Sequence, residues 1–247
     1  MTSQRQVQAR SFFENLAVRA SEIRRAPPVD LHMHTTWTDG SVDVHTMWSR
    51  SVEMGLETIL FSEHARTNSA DWFPEFAAQV RALPDAPCRA MVGAEVKITD
   101  LAGNLDLAAA VRDQCDLIMA SVHRFPGEEG QIMGTTGGFS ADQAMDIEFR
   151  LSMAALDNPD MDILGHPFGM TIRRFNGEPH WKLVETLVGK CATTGKAFEI
   201  NARYHPDPQR LLLACMDARA LVSFGSNAHA PDEVGALLDH PGWTRTI

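Results

Sequence analysis

The side chains best suited to chemistry in this sequence are histidines, and they recur at one kind of position. His32 and His34 close the run Val29-Asp30-Leu31-His32-Met33-His34. In a strand, residues i and i+2 point the same way, so the two imidazoles can reach one ion together. His64 follows Ile59-Leu60-Phe61, Glu95 follows Met91-Val92-Gly93-Ala94, and His123 closes Ile118-Met119-Ala120-Ser121-Val122. His166 follows Ile163-Leu164-Gly165, and His229 follows Val222-Ser223-Phe224-Gly225-Ser226. A lone histidine is ordinarily a surface or satisfied core residue. An imidazole or carboxylate repeated just past six apolar runs is a different case. Buried together without a cation, such groups would leave donors unpaired and charges unmatched. The chemistry this predicts is metal binding. His45, His180 and His240 fall in helices or the tail and are expected at the solvent surface.

Positioning such groups requires elements that bring the ends of those runs together. The runs read as strands: Val29–Met33, Thr58–Ser62, Arg89–Val96, Leu117–Val122, Ile163–Gly165, Ala197–Asn201 and Leu221–Ser226. Amphipathic stretches between most of them read as helices: Val44–Met54, Phe73–Ala82, Leu105–Gln114, Ala141–Ala155, His180–Thr194 and Pro208–Arg219. Strand alternating with helix argues for an α/β fold of parallel strands joined by crossovers. In a parallel barrel every strand's C-terminal end opens onto one face, where active sites are found. Residues 29–247 show no internal linker or repeat, so a single barrel domain is expected there. Residues 1–28 are expected to form an added amphipathic helix, with Phe12, Leu16, Ala20 and Ile23 at helical spacing, ended by Pro27-Pro28. Its arginines resemble those of a transit peptide, a reading that Glu14 and Glu22 weaken. The glycine-rich stretch Pro126–Ser140 is expected to be a lid or a mobile loop; it lacks the Gly-Lys-Ser/Thr ending of a P-loop.

Composition narrows the classes further. The 247 residues are 44% hydrophobic and 22% charged, an ordinary globular balance that excludes fibrous and disordered readings. A formal net charge of −10 disfavours nucleic-acid coating and anionic membranes, although a local basic pocket is compatible with it. Cys88, Cys115, Cys191 and Cys215 stand too far apart for a Cys-x-x-Cys site, and are expected to pack as small hydrophobes in a reducing compartment. No stretch approaches the roughly 20 apolar residues that span a bilayer, and no secretory signal is visible. A cytoplasmic location is the expectation.

The ordered motifs resemble those of the PHP (polymerase and histidinol phosphatase) family. Asp30-Leu31-His32-Met33-His34-Thr35-Thr36-Trp37-Thr38-Asp39-Gly40 resembles its opening motif. Phe61-Ser62-Glu63-His64 stands where the family has Thr-Asp-His, Gly93-Ala94-Glu95-Val96 resembles its Gly-x-Glu, and Ala120-Ser121-Val122-His123 its Ser-x-His. Asp162-Ile163-Leu164-Gly165-His166-Pro167, Phe198-Glu199-Ile200-Asn201 and Ser226-Asn227-Ala228-His229 resemble Gly-His-Pro, Glu-Ile-Asn and Ser-Asp-Ala-His. The likeness spans roughly residues 29–235 and is greatest to the PHP modules of bacterial family X DNA polymerases and their free-standing relatives. No polymerase domain is expected beside these motifs.

The resemblance implies a distorted (β/α)7 barrel with an extra N-terminal helix and two to three divalent ions, zinc, manganese or iron. Carried over by position, His32, His34, Glu95 and Asn227 would hold the first ion. Glu95 would bridge to a second, completed by His123 and His166; His64, His229 and Asp39 would hold the third. Two departures stand out. Glu63 replaces an aspartate with one more methylene, a mild change. Asn227 replaces a metal-binding aspartate, so the first ion would lose a charge and either bind adequately or be impaired. The implied activity is hydrolysis of a small phosphomonoester by a metal-activated hydroxide, with His123, His229 and Glu95 catalytic. Arg124, Arg203, Arg66 and Lys97 would bind the substrate phosphate, with Arg173 and Arg174 also close to a motif. Trp37, Trp72 and Phe125 are expected to pack in the core or against a lid rather than to wall the site. No Ser-His-Asp arrangement is evident; Ser62, Ser121 and Ser226 read as strand-end groups. The alternatives are a nuclease or 3′-end processing phosphodiesterase, and a non-catalytic metal-binding domain weakened at Asn227.

Overall fold

The computed structural model describes residues 4–126, 132–133 and 138–243. Seven strands, β1 (Val29–Met33), β2 (Thr58–His64), β3 (Arg89–Lys97), β4 (Leu117–Ser121), β5 (Ile163–Leu164), β6 (Ala197–Asn201) and β7 (Leu221–Gly225), lie side by side in chain order. Every neighbouring pair runs parallel. The ring nearly closes where β1 returns to the end of β7. Met33 bridges Ala228 in parallel, the His34 N–H donates to the Ala228 carbonyl at 2.8 Å, and the Ala228 N–H donates to the His32 carbonyl at 3.3 Å. The seven-stranded α/β barrel read from the alternation is therefore the fold. Its strands are near-continuous apolar runs because side chains on both faces are covered. Leu31, Met33, Phe61, Phe198 and Phe224 are among the buried core residues.

The helices are α1 (Gln4–Ile23), α2 (Val44–Glu53), α3 (Phe73–Arg81), α4 (Ala109–Arg112), α5 (Ala141–Ala155), α6 (Gly169–Arg174), α7 (Trp181–Thr194) and α8 (Pro208–Ala218). Helix α5 starts at the residue its sequence marks. The Ser140 side chain accepts from the Gln143 N–H while the Gln143 side chain accepts from the Ser140 N–H, a reciprocal capping box.

Two elements differ from expectation. The helix expected over 105–114 is reduced to the four residues of α4. Leu105 instead forms an antiparallel bridge with Ile98, and the Asp106 N–H donates to the Lys97 carbonyl at 2.9 Å. The Asp106 carboxylate also accepts from the Thr67 N–H and hydroxyl at 2.8 and 2.9 Å. With both backbone and side chain engaged by the ends of β2 and β3, this segment cannot also be helical. Helix α6 is the converse case, a helix the local pattern did not announce. Its cap is remote: the Glu148 carboxylate of α5 accepts from the Met170 N–H at 3.1 Å and from the Thr171 N–H and hydroxyl at 2.8 and 2.7 Å. Burial pushes Glu148 up to about 7 despite these donors. Glu148→Ala would strand them in the interior and should lower stability by about 2–4 kcal/mol in denaturant titrations. A loss below about 1 kcal/mol would show that α6 does not depend on this cap.

Helix α1 buries Ala9, Phe13, Leu16 and Ala20, whereas Phe12 is partly buried and Ile23 is 48% exposed. Leu16 and Ala20 are thus buried as expected, whereas Phe13 takes the place of Phe12 and Ile23, at the helix end, has no core to cover. Arg5 pairs with Asp162, and Arg19 with Glu57 at 2.7 Å. Those acids directly precede β5 and β2, so α1 lies across the N-terminal end of the barrel, opposite the histidine-bearing strand ends. All four cysteines are free and buried. His45 and His180 are exposed as expected, but His240 is half-buried, its Nδ1 accepting from the Gly242 N–H at 3.0 Å. Most of the glycine-rich stretch lies outside the described residues, and so does the lid expected there. At its start Phe125–Pro126 pairs antiparallel with Ile132–Met133. No helix among the described residues is long and apolar enough to cross a membrane.

Candidate metal centre

Glu95, 2% exposed, stands at the centre of the C-terminal strand ends. Five imidazoles face its two oxygens. His32 and His34 Nε2 lie 3.4 and 3.5 Å from Oε2, and His64 Nδ1 lies 3.0 Å from the same atom. His123 and His166 Nε2 lie 3.1 and 2.9 Å from Oε1. Asp39, from the loop after β1, forms a second focus, with its carboxylate 3.4 Å from His64 Nε2, 3.3 Å from His229 Nε2 and 3.9 Å from His34 Nδ1. Three sets have ligand atoms mutually within 4.8 Å: His34, Asp39, His64 and His229; His32, Glu95 and His166; His64, Glu95 and His123.

The sequence-expected residues therefore converge, but their grouping differs from the one carried over by motif position. His34 joins Asp39, His64 and His229, because its ring stacks between His64 and His229 with centroids 4.4 and 4.5 Å away. His166 joins His32 instead of His123; the His32 and His166 rings stack at 5.7 Å. Asn227 is 5% exposed, with its Oδ1 buried and unpartnered while its Nδ2 donates to the Tyr204 hydroxyl at 3.4 Å.

The hydrogen-bonding arithmetic of this cluster fits cations. A neutral imidazole has one N–H to give. His32 has carboxylates at both nitrogens, Glu199 at 2.8 Å and Glu95 at 3.4 Å. His64 faces Glu95 and Asp39, and His229 faces the Asn227 carbonyl at 2.8 Å and Asp39. His32 and His64, with a carboxylate at each nitrogen, each need a second proton or a metal ion in its place. The buried Nδ1 atoms of His34 and His166 have no hydrogen-bond partner among the described residues, Asp39 lying 3.9 Å from that of His34. Burial opposes charge on His32, yet Glu199 and Glu95 outweigh it and push the imidazolium up to about 10. His64 is likewise pushed up to about 10, by Glu95 and Asp39 against its burial. Burial and the charges on His64 and His32 drive His34 the other way, well below its ordinary value. Glu95 is buried too, but His123, His32 and His64 hold its carboxyl well below the usual range.

These directions give a prediction. At pH 7 the metal-free protein holds protons on His32 and His64 that a ligating metal must expel. Titrating zinc or manganese by calorimetry in buffers of different ionisation heat should show release of at least about one proton per protein, and weaker binding as pH falls. A heat independent of the buffer would refute it.

Further residues hold the cluster in shape. Glu199 in β6 accepts from His32 Nδ1, from the His166 N–H and, at 2.8 Å, from Asn201 Nδ2. Partners of this kind fix ring orientation in metal sites. Glu63 accepts from the Thr35 N–H and hydroxyl at 2.8 and 2.7 Å and from the Thr38 hydroxyl, tying down the loop that carries Asp39. Burial pushes Glu63 up to about 7. Asn227 and His166 adopt φ of 57° and 24°, left-handed values that non-glycine residues adopt rarely and that concentrate at functional sites. At Gly225 a Cβ would run into Glu199 and His32, so the close approach of β7 to β1 requires glycine.

Above the cluster opens a cavity of about 520 Å³. Arg66, Lys97, Arg124, Arg173, Arg174 and Arg203 all line it, as do Tyr204, Asn227 and His229. Trp37 and Trp72 do not; they stack on each other with centroids 5.8 Å apart, and Phe125 is buried against Phe139 and Phe175. Ser62, Ser121 and Ser226 are buried, and Ser226 donates to Asp30 at 2.5 Å. A cleft of about 490 Å³ beside α1, at the opposite end of the barrel, gathers no group of metal-binding side chains among the described residues. Sequence reasoning gave no role to Glu199, Tyr204 or His205. Glu199 carried a signal, a charged residue inside an apolar strand; Tyr204, whose ring lies 4.5 Å from that of His166, carried none. His205 is buried, bonded to the Asn201 N–H and the Pro167 carbonyl at 3.0 Å each, and belongs to none of the ligand sets.

Known proteins share both the sequence pattern and the barrel. DNA polymerase/3′-5′ exonuclease PolX of Bacillus subtilis (strain 168) is 25% identical over 237 residues, 88% of this chain but 38% of that protein. A probable phosphatase of Thermoanaerobacter sp. (strain X514) is 24% identical over 219 residues, covering 84% of this chain and 81% of the relative. The crystal structure of histidinol phosphate phosphatase from Lactococcus lactis, complexed with zinc, L-histidinol and phosphate, is similar with a TM-score of 0.60 at 16% identity, covering 83% of this chain and 87% of that one. The family model described as PHP domain matches residues 30–203, the segment that supplies seven of the eight side chains in these ligand sets, all but His229. The chain belongs to the PHP domain family.

Proposed function

We propose that this protein is a metal-dependent phosphoesterase that hydrolyses a small phosphomonoester. Water adds to phosphorus, the P–O bond to the organic group breaks, the leaving alkoxide takes a proton, and alcohol and inorganic phosphate depart. The carrying observation is the convergence of five imidazoles on Glu95 at the floor of a cation-lined cavity. His32, His34, His64, His123, His166, His229, Asp39 and Glu95 would hold divalent ions, and Asn227 would add a neutral amide oxygen. Such ions lower the pKa of a coordinated water and polarise a phosphoryl oxygen. Zinc is favoured by its presence in the Lactococcus lactis relative, and imidazole-rich sets also suit iron or manganese.

The chain's own groups do the rest. Glu95 would fix the ring directions around it, and Glu199 would hold His32 in one orientation. Arg124, beside His123, and Arg203, whose Nη1 lies 3.4 Å from His229 Nδ1, would flank the phosphate. His123 and His229 keep about a quarter of their side-chain surface open, 23% and 25%, and would serve the leaving oxygen. Protein reconstituted with zinc or manganese should release phosphate from glycerol 2-phosphate, and a chelator should stop it. A metal-loaded protein inert toward every ester tried would favour the non-catalytic reading, most directly if Asn227→Asp restored turnover. The similarity to PolX supports nuclease activity as a second reading. Digestion of single-stranded DNA at low salt, faster than any monoester, would select it.

A further inference from the structure

The cations above the cluster fall into two groups. Arg66, Lys97 and Arg124 stand at the C-terminal ends of β2, β3 and β4, three neighbouring strands, so they share one rim. Arg173 and Arg174 come from α6 and Arg203 from the loop after β6, next to Tyr204. Arg203 has a counter-charge within reach, Glu233 at 4.0 Å. Among the described residues, no ion pair forms at Arg66, Lys97 or Arg124; the Asp106 carboxylate that acts on Lys97 is itself engaged by Thr67. Lys97 is half-buried at this rim, with Arg66 and Arg124 exposed beside it. Like charges held together without a paired carboxylate, in a chain whose formal net charge is −10, make a local positive field that attracts an anion.

One phosphate does not account for both groups. A phosphate held over the ligand cluster would meet the divalent ions, Arg203 and Arg124, which adjoins His123. Arg66 and Lys97 then remain, in a cavity whose 520 Å³ leaves room for an organic body beyond the phosphate. We infer that the substrate is a phosphomonoester carrying a second anionic group, a further phosphate or a carboxylate, received by Arg66 and Lys97 with Arg124 shared between the two anions. This inference rests on the phosphoesterase reading. It also separates this protein from one acting on histidinol phosphate, whose ammonium group the same rim would repel.

The test is a charge series on one scaffold: glycerol 2-phosphate, 2-phosphoglycerate and 2,3-bisphosphoglycerate, with histidinol phosphate beside them, at fixed free metal. Across the series kcat/KM should rise, by at least about tenfold from first to last, and the advantage should shrink with added salt. Lys97→Gln should compress the ratio between the bisphosphate and glycerol 2-phosphate. Calorimetry on chelator-treated protein supplies an arm that needs no turnover: 2,3-bisphosphoglycerate should bind more tightly than glycerol 2-phosphate, and Lys97→Gln should remove the difference. Equal rates along the series, or a preference for histidinol phosphate, would overturn the inference and leave the phosphoesterase intact. Faster cleavage of single-stranded DNA than of any monoester would overturn it by assigning the rim to a nucleic-acid backbone. Failure to hydrolyse any ester would remove the phosphoesterase reading, while the calorimetric arm would still decide whether the rim selects a second anion.

Discussion

Glu95→Gln should lose bound metal and reduce phosphate release by more than about 10²-fold, since altering only the outer partners of a metal site commonly costs 10–100-fold. The reason lies in the crowding around that carboxylate. Five ring nitrogens lie 2.9–3.5 Å from its two oxygens, and among the described residues no other carboxylate pairs with the imidazole of His123 or His166. An amide of the same size keeps one acceptor but surrenders the charge and turns an N–H toward at least one imidazole. Metal content by atomic absorption and phosphate release should fall together. His123→Ala should likewise abolish release, because it removes the ring that joins Glu95 and His64 in one set. Full metal content with unchanged turnover in both variants would end the assignment of this cluster as the reacting centre.

Asp30→Ala should be the most destabilising single change near the site, by about 3–5 kcal/mol. Asp30 is 1% exposed and its carboxylate accepts from the Ser226 N–H at 2.9 Å, the Ser226 hydroxyl at 2.5 Å and the Gly235 N–H at 2.9 Å. The His32 N–H lies at 3.4 Å. These bonds join β1 to the segment after β7 where the barrel closes with little strand pairing, and that segment carries Asn227 and His229. Truncation would leave several buried donors unsatisfied at the weakest seam of the ring. Urea titrations should show a lower midpoint with an unchanged slope, and metal affinity should fall with it. Asp30→Asn keeps one acceptor and should lose about half as much. A stability change below about 1 kcal/mol for Asp30→Ala would show that the seam is held by other contacts.

Much of the barrel was legible because its information is local. Val29–Met33 and Ala197–Asn201 match their expected strands to the residue, and Ala141–Ala155 its expected helix, since an apolar run or a capping box acts over a few residues. The segment over 105–114 and helix α6 were not legible for the opposite reason. In one, Asp106 is held by Thr67 and Lys97; in the other, the cap is Glu148, about twenty residues upstream. His45, His180 and His240 were all separated correctly from the clustered histidines by position alone, but His240 is half-buried instead of exposed, its surroundings being set by how the tail folds back.

The sequence by itself determined which side chains sit at the C-terminal ends of parallel strands: His32, His34, His64, Glu95, His123, His166 and His229, with Asp39 and Asn227 added by motif resemblance. Only the tertiary structure decided how they group. His34 turns toward Asp39 and His229, His166 toward His32, and Glu199 and Tyr204 support them from strands and loops far away in the chain. The physical reason is a difference in range. Periodicity fixes the face on which a residue emerges, while the distance between two strand ends depends on how the ring closes and on the loops that cross above it.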